Sequence, residues 1–75
     1  MRLISQDGKI DIPYTSTSIE ITSEDGGGHT LVAHAGKNRF IMGNYYLLAN
    51  AMNALAGVSK AHMRGWKMFQ FPQED

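Results

Sequence analysis

The segment GNYYLLANAMNALAGVSK, residues 43–60, has no charged side chain before its final lysine. A helix on the surface of a soluble protein normally carries a charged stripe opposite its buried stripe. The absence of such a stripe limits how this segment can pack and raises the question of what covers it. The segment is also too short and too rich in asparagine to be a typical membrane span.

Apolar side chains in this segment recur at the spacing of an α-helix. We predict a helix that begins after an N-cap at Asn44 and ends at Gly57. Its sheet-facing row is expected to be Tyr45, Leu48, Ala49, Met52, Leu55 and Ala56. A second row, along the flank, contains Leu47, Ala51, Ala54 and Val58. The most polar strip is then Tyr46, Asn50 and Asn53.

Two interpretations of the second row remain open. The row lies under the following loop, VSKAHMRG, or the helix or the final strand forms an interface between copies of the chain. A two-fold dimer brings the same patch of each copy face to face, so an uncharged patch avoids repulsion between like charges. We therefore predict a homodimer whose interface is formed by Leu47, Ala51, Ala54 and Val58.

Strand patterns precede and follow the helix. RLISQDGKIDI predicts a hairpin at Asp7-Gly8, TSIEITSEDGGGHTLVAHA predicts a second hairpin, and RFIM predicts a further strand. WKMFQF predicts a last strand, apolar on both faces and therefore sandwiched, that ends before Pro72. The sequence therefore predicts an α+β fold. Residues 1–75 form a single domain, in which a small antiparallel sheet packs against one helix. The sheet is a meander of about four or five strands plus a C-terminal strand.

The size of the chain also favours association. A domain of 75 residues buries about 60% of the surface that its unfolded chain exposes, so its stability is small. Such domains commonly gain stability from disulfides, metals or association. The sequence has no cysteine, which excludes disulfides and a cysteine zinc site.

Charge is unevenly distributed along the chain, although the net charge is zero. Residues 1–25 carry five acids and two bases, whereas residues 26–73 carry five bases and no acid. Either the acidic hairpins fold beside the basic segment, or a weakly basic face contacts an anionic partner. Basic and aromatic side chains that would suit a single-stranded nucleic acid occur together near the C-terminus. They are Lys60, Arg64, Trp66 and Lys67, with His62, Tyr45 and Tyr46 as further candidates.

A pI near 6.8 is far below that of a dedicated nucleic-acid binder, so this contact is the alternative hypothesis. No pattern predicts an enzyme, a metal site or a cofactor. His29 and His34 fall on opposite faces of a strand, and the glycines 26–28 lie between two strands rather than before a helix. The N-terminus lacks the apolar core of a signal peptide, which leads us to expect a cytoplasmic protein without a membrane anchor.

Both ends of the chain are distinctive. MRLISQDG, IDIPY and the closing FQFPQED resemble a group of small uncharacterised proteins from Gram-positive bacteria and their phages and prophages. FIMGNYYLLANAMNALAG is similar to the strand-then-helix segment of that group. The helices of the group are rich in Glu and Lys, whereas residues 44–59 of this chain have neither. The resemblance implies a phage or prophage context and a cytoplasmic location, and it carries over no catalytic residue. The leading hypothesis is a non-enzymatic, homo-oligomeric module that binds another protein.

Overall fold

The predicted α+β class is confirmed by a computed structural model that describes residues 1–74. Within these residues the chain forms six strands and one helix. In chain order they are β1 (Arg2–Ile4), β2 (Asp11–Pro13), β3 (Thr17–Ser23), β4 (His29–Ala35), β5 (Asn38–Tyr45), α1 (Leu48–Met63) and β6 (Met68–Gln70).

The strands form two three-stranded sheets rather than the single sheet that we predicted. One sheet is the antiparallel meander β3-β4-β5. The other has the order β2-β1-β6, in which β2 is antiparallel to β1 and β6 is parallel to it. Alternation of side chains identifies a strand but not its neighbour, so the pattern could not place β6 beside β1.

Gln6 joins the two sheets. Its backbone N–H donates to the carbonyl of Met42 at 2.7 Å, and its side-chain carbonyl accepts the N–H of Asn44 at 3.0 Å. The register between β4 and β5 shifts between Leu31 and Val32, so the pairing of β5 skips Met42. The side chain of Met42 is fully buried in the core.

The core combines large side chains from the sheets and the C-terminal tail with small side chains from α1. Leu3, Leu31, Met42, Tyr45 and Phe71 supply the large groups. The helix contributes Ala51, Ala54, Val58 and Ala61, each at most 2% exposed, which we call the inner row. Short side chains let the helix axis approach the sheets closely, so the large residues fill the space between them.

Both predicted helix ends were wrong. Asn44 and Tyr45 belong to β5, and the helix begins at Leu48. Gly57 lies inside the helix and does not end it. Glycine suits this position because a Cβ there would lie 3.1 Å from the Phe69 ring. The helix ends at Met63, and Gly65 follows with a φ of +75°, the left-handed conformation that often ends a helix.

The helix is rotated relative to the two rows that we predicted. Ala51, Ala54 and Val58, predicted at the dimer interface, are buried in the core of their own chain. Leu47, the fourth member of that row, is the exposed N-cap. Of the row predicted to face the sheet, Tyr45 is buried and Leu55 packs against the core, as predicted. The other four members are exposed, with Leu48 at 45% and Met52 at 55%.

β6 has one buried face and one exposed face, so the prediction of a sandwiched strand was wrong. Phe69 contacts the core and meets the buried Phe71 edge to face, with ring centroids 5.4 Å apart. Met68, whose side chain alternates with that of Phe69, and Trp66 just before the strand are both about half exposed. The apolar residues on this second face are therefore surface features.

Candidate functional site

The carboxylate of Glu74 holds the C-terminal tail against the start of α1. It accepts hydrogen bonds from the N–H of Tyr46, from the N–H of Leu47 at 3.0 Å and from the side-chain amide of Asn50 at 2.7 Å. The N-cap, Leu47, makes no capping bond with its own side chain, so Glu74 supplies an acceptor that the local sequence lacks. The bond from Tyr46, followed by those from Asn50 and Leu47, lowers the pKa of Glu74.

The rest of the tail is fixed by hydrogen bonds to Tyr45 and Gln6. The Tyr45 hydroxyl donates to the carbonyl of Pro72 at 2.7 Å, and the Gln6 side chain donates to the same carbonyl at 3.1 Å. The side chain of Gln73 donates to the carbonyl of Gln6 at 2.7 Å. Burial, with a smaller contribution from the charge of Glu74, raises the pKa of Tyr45.

A groove of about 490 Å³ separates α1 from β6 and the tail. We call it the carboxamide groove, because four of its lining side chains are primary amides. Each primary amide both donates and accepts hydrogen bonds, and the volume lies within the range of ligand sites. The groove is lined by Tyr45, Asn50, Asn53, Ala54, Gly57, Phe69, Gln70, Pro72, Gln73 and Glu74.

The opposite flank of α1 exposes large apolar side chains. We call these residues the outer row: Leu48, Met52 and Met63. Met63 is the most exposed of them, at 84%. Tyr46 and Leu47 extend the exposed apolar surface at the N-terminal end of the helix. Residues 40–59 contain no charged side chain, so most of this surface lies in an uncharged part of the chain.

The candidate nucleic-acid residues lie around the C-terminal end of α1. Lys60, Arg64, Trp66 and Lys67 are all exposed, and we call this set the basic end. The two ion pairs found within residues 1–74 join Arg2 to Asp11 and His34 to Glu20, so neither involves the basic end.

The other candidates for nucleic-acid contact do not join the basic end. Tyr45 and Tyr46 precede the N-terminal end of the helix, whereas the basic end lies at its C-terminal end. The 16 residues of the helix separate the two ends by about 24 Å, at about 1.5 Å per residue. His62 stacks on Tyr14 instead, with ring centroids 4.6 Å apart. The aromatic component of the predicted site is therefore Trp66 alone.

The remaining sequence candidates lie in ordinary hairpin surroundings. His29 hydrogen-bonds Ser23 at 2.9 Å, and His34 contacts Glu20 at 3.0 Å. Within residues 1–74 no three His, Asp or Glu side chains are grouped as a metal site would require. In the same part of the chain, no helix has the length and apolar character needed to cross a membrane.

No protein-family model, curated protein or solved structure matches this chain. The features of the molecule that point to a function are the carboxamide groove, the outer row and the basic end. The sequence patterns identified the basic end and the polar strip of Asn50 and Asn53. They did not place Gln70, Gln73 or Glu74 beside that strip, because this depends on where the tail returns.

Proposed function

We propose that this protein is a non-enzymatic interaction module that forms a homodimer through its outer row and binds another protein. The observation that carries the proposal is the exposure of Leu48, Met52 and Met63 on one flank of α1, of which Leu48 and Met52 lie in the uncharged segment 40–59. Exposed patches of large apolar side chains are typical of interaction sites. The proposal keeps the self-association predicted from the sequence and moves it from the buried row to the exposed one.

Charge supports pairing with a second copy, and the area that a stable dimer needs sets the extent of the interface. A two-fold interface places the outer row of one copy against that of the other, where the lack of charge avoids repulsion. A standard interface buries about 800 Å² on each partner, about a sixth of the 4974 Å² surface of this chain. The helix flank alone is narrow, so we assign Tyr46 and Leu47 to the same interface.

The cellular setting belongs to the same proposal. The resemblance of the two chain ends to small proteins of Gram-positive bacteria and their phages supports a phage or prophage context. That context supports a cytoplasmic location in the bacterial host.

Size exclusion coupled to light scattering tests the proposed dimer. At micromolar concentration the wild-type chain should have a mass near twice 8.3 kDa, and Met52→Glu should reduce it to 8.3 kDa. Asn53→Glu is the matched control, because it adds the same charge to the neighbouring residue on the groove flank. A monomeric wild type, or equal dissociation of both variants, would contradict the assignment.

A second candidate function is weak binding of single-stranded nucleic acid at the basic end. The half-exposed ring of Trp66, beside Lys60, Arg64 and Lys67, supports it. Titration with oligo-dT should quench Trp66 fluorescence at low salt and much less at moderate salt, because phosphate contacts release counterions. An unchanged emission at low salt would remove this candidate.

A further inference from the structure

β6 is an edge strand with one unused row of backbone groups. Its partner within residues 1–74 is β1, and the carbonyl of Lys67 and the N–H of Phe71 bond to that side. Alternate residues of a strand direct their backbone groups to opposite edges. The N–H and C=O groups of Met68 and Gln70 therefore face the free edge.

The carboxamide groove reaches the free edge at Gln70, which is one of its lining residues. One wall is the flank of α1 with Asn50, Asn53 and Gly57, and the other is the segment 69–74. Glycine at position 57 keeps the helix close to β6, since a Cβ there would contact the Phe69 ring. The groove therefore places the edge groups of Gln70 opposite a helix flank that carries the side-chain amide of Asn53.

The charge changes along this flank of α1. Lys60 and Arg64 continue the helical row of Asn50, Asn53 and Gly57, at spacings that keep all five on one flank. Lys67 lies just before β6. At the other end, the carboxylate of Glu74 is already bonded to the start of the helix. Basic side chains therefore continue this helix flank beyond the groove, whose own lining is neutral apart from Glu74.

We propose that the carboxamide groove binds an extended acidic peptide, which adds to the free edge of β6. Backbone groups of the peptide would pair with Met68 and Gln70, while the side-chain amide of Asn53 bonds a further backbone group. Acidic side chains of the peptide would reach Lys60, Arg64 and Lys67. Addition of a strand to an exposed sheet edge is an established mode of peptide recognition.

A peptide fits these groups better than a nucleic acid does. The free edge of β6 and the side-chain amide of Asn53 offer both donors and acceptors, which matches a peptide backbone. A nucleic acid would use the basic end and Trp66 but would leave the free edge of β6 unpaired. The inference rests on the proposed role as an interaction module, and it does not require the dimer.

Peptide titrations followed by amide NMR test the proposal. The probe is acetyl-Val-Glu-Val-Glu-Val-Glu-amide, and the controls are the same peptide with Lys for Glu and one with alternate backbone nitrogens methylated. The acidic probe should shift the amide signals of Met68 and Gln70 and the side-chain amide of Asn53. Both controls should bind at least about tenfold more weakly, as expected when charge or edge hydrogen bonds are lost.

Substitutions at Met68 separate backbone from side-chain contributions. Met68→Pro removes a donor from the free edge, where proline is tolerated, and should weaken binding about tenfold. Met68→Ala keeps the donor and should bind within about twofold of wild type. Equal binding of all three peptides, or signal shifts with oligo-dT but none with the acidic probe, would overturn the proposal. The methylated peptide tests it even if Met68→Pro fails to fold.

The same titration on Met52→Glu distinguishes this inference from the proposed dimer. Peptide binding by a monomeric variant would support the groove independently of the outer row. A dimeric wild type that shifts no β6 signal would overturn the groove alone. A monomeric wild type that binds the acidic probe would overturn the dimer alone.

Discussion

The inner and outer rows of α1 lie on the same helix and are both uncharged, yet only one is buried. The inner row of three alanines and a valine is at most 2% exposed, whereas the outer row is 45–84% exposed. The outer row contains the larger and more hydrophobic side chains. Fit to the sheets therefore decides which row is buried, because the sheets already fill the core with large residues.

Contacts at two places hold the helix in this rotation. Glu74 bonds the backbone of Tyr46 and Leu47 and the side chain of Asn50, which orients the first turn. At the middle of the helix, the ring of Phe69 lies against Gly57. The tail and β6 therefore determine which row faces the core.

The largest loss of stability is expected when a charge is placed in the inner row. Ala51→Glu should cost about 3–5 kcal/mol, because it buries a carboxylate without a partner. This loss is comparable to the whole stability of a domain of this size, so the variant should be largely unfolded by circular dichroism. A folded Ala51→Glu would show that the inner row is accessible to solvent.

A smaller loss is expected when the tail loses one hydrogen bond. Tyr45→Phe removes the donor to the Pro72 carbonyl and should lower the free energy of unfolding by about 1 kcal/mol. The carbonyl keeps its bond from Gln6, so no acceptor is left unpaired. Urea denaturation should show a lower midpoint with an unchanged slope, while Tyr46→Phe on the exposed neighbour should leave the midpoint in place.

Acid should weaken the attachment of the tail through Glu74. Its pKa in the folded chain lies below the ordinary value of 4.5, so its contribution is complete above that value and is lost as the pH falls through the folded-state pKa. Thermal melts should show a flatter acid dependence for Glu74→Gln than for wild type. The pKa of Asp7 is also lowered, chiefly by a bond from Ser5, but both proteins share this effect. Parallel acid profiles would contradict the role of Glu74.

The smallest effect on stability is expected in the outer row. Met52→Glu should change the free energy of unfolding of the monomer by less than about 0.5 kcal/mol, because the side chain is exposed. Urea denaturation measures this change when the protein concentration is below the dissociation constant of the dimer, so that both proteins are monomeric. A loss as large as that of Ala51→Glu would abolish the distinction between the rows.

The sequence predicted the fold class and most of the elements. The alternation in TSIEITS and HTLVAHA predicts the hairpin of β3 and β4, and the apolar repeat after Asn44 predicts a helix. Its rotation could not be predicted, since large and small apolar rows satisfy the same period. The ends of the helix were misplaced because Gly57 is a close-contact residue rather than a cap, and because the cap comes from Glu74 at the far end of the chain.

The candidate sites also differ in how far they could be predicted from local sequence patterns. Lys60, Arg64, Trp66 and Lys67 are close in sequence, so the basic end could be predicted without a structure. The carboxamide groove joins residues 45–57 to residues 69–74, and its formation depends on the parallel pairing of β6 with β1. That pairing has no local sequence signature, so the groove could not be foreseen.

Isotope-filtered NMR on a mixture of labelled and unlabelled chains is the decisive test of pairing through the outer row. Equal amounts of chain with ¹³C-methyl methionine and of unlabelled chain would be mixed at a concentration that supports the dimer. We predict intermolecular contacts to the methyl groups of Met52 and Met63 and none to the buried Met42. Contacts to Met68 alone, or no intermolecular contact at all, would contradict pairing through the outer row.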